Sequence, residues 1–166
     1  MNTISKSRSV VAVNASTYLW TAAFVAGNVV LPMICHAVNL GGMVLLPLML
    51  FTVIAAAHLG IIPAIITIVF SPLLSLAITG MPAAGVMLTS FMAHALIVAA
   101  VIGTWKQYKG EFSVLSIIAL LAAAHLAGFV SNGVIFFTFD VAWGLLLMSW
   151  PGILIQAIAL WAVTRK

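Results

Sequence analysis

The stretch Val114–Val130, VLSIIALLAAAHLAGFV, decides the fold. Apolar side chains follow one another almost without a gap, and only Ser116 and His125 carry polar ones. A strand of a membrane barrel would alternate apolar and polar residues in segments of about ten. The other structure that satisfies its own backbone in lipid is the helix, so this run reads as a membrane-spanning helix.

The rest of the chain agrees. Of its 166 residues, 65% are apolar and 5% charged, whereas about a quarter are charged in an ordinary soluble domain. A span needs about 20 apolar residues, which leaves room for six or seven at most. Clusters of turn residues fall at Asn39-Leu40-Gly41-Gly42, Gly60 to Pro63, Thr79 to Pro82, Lys106 to Glu111 and Thr138 to Asp140. They divide the chain into one all-α, six-helix membrane domain, with helices near 14–38, 43–60, 62–79, 83–105, 112–137 and 141–164. The N-terminus, with Lys6 and Arg8 before an apolar run, lacks a small-x-small cleavage site and reads as a retained first helix.

The basic residues set the orientation. Lys6 and Arg8 precede helix 1, Lys106 and Lys109 follow helix 4, and Arg165 and Lys166 follow helix 6. With six spans all three pairs lie on one side, which the positive-inside rule assigns to the cytoplasm, with both termini. Merging helices 2 and 3 would put one pair on the wrong side. Three separated pairs make no basic patch, so the net charge of +4 does not point to nucleic acid. A single cysteine excludes an internal disulfide and a cysteine-cluster metal site.

Ionisable residues inside a membrane are candidate functional groups because burying them in lipid is costly. His36 stands at the outer end of helix 1, beside Asn39. On helix 4, Met87, Ser90 and His94 share a face, and on helix 5 His125, Gly128 and Asn132 repeat that spacing. Trp143 and Trp150 lie in the outer half of helix 6. These sets are expected to converge on an outward-facing pocket, with Gly128 leaving room for a ligand. His58, at the inner end of helix 2, reads as a structural or subunit contact, and Asp140 as a solvated or capping carboxylate. Ala22 and Ala26 form a small-residue face on helix 1 that lets another helix approach closely.

The segments HAVNLGGMVLLPLML, the Gly60 turn and SPLLSLAITGMP, within residues 31–95, together with the six-helix layout, resemble the S components of energy-coupling factor (ECF) transporters. These small membrane proteins capture vitamins and other micronutrients. The resemblance implies partners, namely a coupling transmembrane subunit docked through Ala22-x-x-x-Ala26 and two ATPases, in a prokaryotic cytoplasmic membrane. It also implies a small-molecule substrate held by His36, Asn39, Met87, Ser90, His94, His125, Asn132 and Trp150. Two departures bear on the ligand. Ala83 follows Pro82 where a second proline is common, and His94 takes approximately the place of an acidic residue. A strongly cationic ligand is thereby disfavoured. An anionic or aromatic one is suited, as is haem, a corrinoid or a metal ion held by His36, His94 and His125.

An enzyme is not expected. Ser131 is near His125 in sequence without a G-x-S-x-G elbow, and the only carboxylates, Glu111 and Asp140, fall on opposite membrane sides. There is no GxxxxGK[ST] for nucleotide binding. A structural membrane subunit is the remaining alternative.

Overall fold

The computed structural model describes residues 15–38, 45–136 and 139–165, and these are helical with short connections. The helices are α1 (Ala15–Ala37), α2 (Pro47–His58), α3 (Ile61–Thr79), α4 (Val86–Lys109), α5 (Val114–Phe136) and α6 (Phe139–Thr164). All but α2 are long and apolar enough to cross a membrane. The outward surface carries large apolar side chains throughout, among them Leu19, Ile62, Leu115 and Val134. That surface suits lipid as its solvent and would not stay dispersed in water. The chain is a multi-pass helical membrane protein.

Local chemistry explains the helix ends. α3 and α4 stop at Gly80 and Gly110, both in the left-handed region that a Cβ disfavours. Their amides bond back to the carbonyls of Leu76 and Lys106 at 2.9 and 3.1 Å. α5 starts at a reciprocal cap: the Ser116 amide donates to Ser113 Oγ, and the Ser113 amide to Ser116 Oγ. Two boundaries differ from the expected ones. α4 begins at Val86 instead of 83, after the positive-φ residue Gly85. It continues through Lys106, because the turn that ends it is made by Gly110.

The largest difference is α2. Expected over 43–60, it covers Pro47–His58, twelve residues, or ~18 Å of rise. This is less than the ~30 Å of a bilayer's apolar core. Its short length goes with its position, since it packs against α1, α3, α4 and α6. Met49, Thr52, Val53, Ala55, Ala56 and Ala57 are all fully buried. A helix surrounded by protein need not match the thickness of lipid.

α1 is tied to this centre by a polar lock. The Phe51 amide donates to Asn28 Oδ1 at 3.1 Å, and Asn28 Nδ2 donates to Thr52 Oγ1 at 3.1 Å and to Ser71 Oγ at 3.4 Å. Gly27, one residue earlier, lets the Phe51 ring lie where a Cβ would stand. On the other side, α4, α5 and α6 pack in sequence order. Short connections make them alternate in direction. Lys106, Lys109 and Arg165 therefore lie at one end of the bundle and Asp140 at the other. Arg165 stacks its guanidinium over Trp161, 4.9 Å from the ring centre.

Candidate functional site

The polar groups of α4, α5 and α6 meet at mid-depth. His94 lies ~12 Å along α4 from its start, and His125 near the middle of α5. Their rings face each other, with His94 Nε2 3.0 Å from His125 Nδ1. On the far side, His125 Nε2 lies 2.9 Å from Gln156 Oε1 of α6. All three side chains are buried. The result is an unbroken row, His94–His125–Gln156, that joins three helices by side chains alone.

Two neighbours hold the row in place. Phe129 meets the His94 ring edge-on, with centroids 4.5 Å apart at 79°. Gly128 provides the space: a Cβ there would run into the His94 ring at Cδ2. The expected role of Gly128 is thus corrected. The room it leaves is filled by His94, not held open for a ligand.

The other candidate residues are distributed as follows. Ser90 is half-buried on the His94 face of α4, and Met87, one turn further out, is exposed. Asn132, seven residues beyond His125, is half-buried, yet its Oδ1 is enclosed and without a partner. Trp143 and Trp150 are both exposed on α6; Trp143 stands near its Asp140 end, and Trp150 is not among the groups that meet the buried row. His36 is exposed at the end of α1. Asn39 lies outside the described residues, as do Gly41 and Gly42. Among the described residues no three His, Cys, Asp or Glu side chains gather in a form that could hold a metal ion. His36, His94 and His125 therefore do not form the expected metal-binding set, because two of them are bonded to each other deep between helices and the third stands apart.

Sequence reasoning missed Gln156, which the geometry makes an equal member of the row. The available signal was an amide in the middle of an apolar span, on one face with Ser149 and Gly152. It also missed the Asn28–Thr52–Ser71 lock, since Ser and Thr in lipid commonly satisfy themselves on their own helix. Thr21, Thr67 and Thr164 do so here, each donating to the carbonyl four residues earlier.

A cleft of about 330 Å³ opens beside the row at the Asp140 end, between α5 and α6. Leu126, Phe129, Val130, Asp140, Trp143 and Leu146 line it. Phe129 is its common wall with His94. Asp140 and the Trp143 indole bring the polar atoms to this lining, and the rest of it is apolar.

On α1 the pattern is the reverse of that at the row. Thr21, Phe24, Asn28, Val29, Pro32 and Cys35 are buried, whereas Ala22, Ala23 and Ala26 are exposed. No protein-family model matches this chain, and neither a curated protein nor a solved structure is significantly similar to it.

Proposed function

We propose that this protein is the substrate-capture subunit of an ECF-type importer, embedded in a prokaryotic cytoplasmic membrane with six spans and both termini inside. It would take a vitamin or similar micronutrient from the outer face and dock through α1 on a coupling subunit driven by two separate ATPases. Release would follow when the subunit tilts in the membrane. ATP hydrolysis would belong to the partners.

The observation that carries this reading is the face of α1. Among the described residues α1 packs chiefly on α2 and α3, and it turns Ala22, Ala23 and Ala26 outward, toward the membrane. Small residues give lipid little to grip and give another helix a close approach. The polar row between α4, α5 and α6 supports a ligand site separate from that face. With His36 apart, a haem, corrinoid or metal ion would have two histidines already bonded to each other. An organic micronutrient suits the site better.

The test is co-expression with a coupling protein and a pair of ATPases, followed by affinity purification. Wild type should carry the three partners through the column. Ala22→Trp and Ala26→Trp should lose them while keeping the same thermal midpoint in detergent. Wild type that never retains the partners would overturn the proposal and favour a structural subunit.

A further inference from the structure

The two enclosed polar atoms without partners, among the described residues, are Asn132 Oδ1 and Gln156 Nε2. Both belong to the seam that contains the histidine row. Gln156 bonds directly to His125, and Asn132 stands two turns beyond His125 on α5, on the same face. Gln156 closes one end of the row with an amide nitrogen left unpaired, and the hydrogen bonding along the row is directional.

The direction follows from the acceptor at one end. Gln156 presents its oxygen to His125, and an amide oxygen only accepts. With the amide oxygen on that side, His125 carries its proton on Nε2. Its Nδ1 is then a bare acceptor, so His94 must donate from Nε2. An imidazolium at mid-membrane depth is costly, so both rings are neutral. The proton order leaves one nitrogen of the row bare, His94 Nδ1.

We propose that Gln156 is a positioning residue: by facing its oxygen to His125 it orders the protons of the whole row and makes His94 Nδ1 a hydrogen-bond acceptor. Any ligand that reads His94 must bring the donor, an N–H or O–H group. Asn132 Oδ1, also an unpaired acceptor, asks for the same. A group that offered His94 Nδ1 only a carbonyl or carboxylate oxygen would make no hydrogen bond there. This consequence for the ligand rests on the capture-subunit reading, whereas the proton order does not.

The experiment is ¹⁵N NMR of the full chain in lipid nanodiscs at pH 7, with labelled histidine. The chain has four histidines, so single replacements assign each ring. Protonated and bare ring nitrogens differ by tens of ppm. Wild type should show His94 and His125 both protonated on Nε2 and bare on Nδ1. Gln156→Leu should let His125 and His94 populate both tautomers. His94→Gln should leave His125 on Nε2, because Gln156 is still present. A His94 proton on Nδ1, a cationic ring, or a wild-type pattern retained in Gln156→Leu would each overturn the proposal. If Gln156→Leu does not fold, loss of the His125 tautomer in His94→Gln overturns it equally. Failure of the partner pull-down with the expected tautomers in place would remove the importer reading and leave the role of Gln156 standing.

Discussion

Gly128 and His94 are a pair in which the absence of one side chain makes the other's position possible. A Cβ at 128 would overlap the His94 ring, so Gly128→Ala must push that ring out of its bond to His125. The expected cost is about 1–3 kcal/mol, from overpacking and a stranded polar atom. It should appear as a lower midpoint of unfolding in mild detergent. The diagnostic comparison is with His94→Ala, in which the space is empty. In that background Gly128→Ala should be close to neutral. Equal costs in both backgrounds would show that the glycine serves its own helix and not the histidine.

The short helix is where depth and burial diverge. α2 gains nothing from lipid on most of its surface, and Ala55, Ala56 and Ala57 set how closely α1, α3, α4 and α6 can surround it. Ala56, fully enclosed, has no room for a longer side chain. Ala56→Leu should cost about 1–3 kcal/mol. Ala23→Leu, on the exposed face of α1, should fall within about 0.5 kcal/mol of wild type. Thermal unfolding of the two purified variants is sufficient to compare them. A tolerated leucine at 56 would mean that α2 is loosely held and its short length has another cause.

At the scale of the whole molecule the charges and the bundle's direction make one statement. The last turn of α4 carries Lys106 and Lys109, Glu111 follows it, and Arg165 follows α6 at the same end. The connection between α3 and α4 is at the opposite end. With Cys35 replaced by alanine, a cysteine at Ala83 should react with a membrane-impermeant maleimide on intact cells. A cysteine at Glu111 should react only after the membrane is opened. The reverse pattern would turn the protein over and place the basic end outside, against the positive-inside rule. Labelling of both from outside would break the six-span topology.

Composition and turn residues by themselves determined that this chain is helical and lives in a membrane, and they located most helix ends to within a few residues. Lipid forces this, because a continuous apolar run must close its own hydrogen bonds, while Gly80 and Gly110 end helices through their own backbone. The sequence also pointed to His94 and His125, since a histidine in lipid stands out wherever it lies. Only the tertiary structure decided what these residues meet. Helical spacing shows which side chains share a face, not how far neighbouring helices slide or rotate against each other. That is why Gln156 was overlooked as the partner of His125, why the gap at Gly128 proved to be filled by His94, and why Trp150, at a depth suited to a pocket, faces outward. The same freedom left His36 apart from the other two histidines and placed Asn28 against Phe51, Thr52 and Ser71, contacts whose geometry depends on three helices at once.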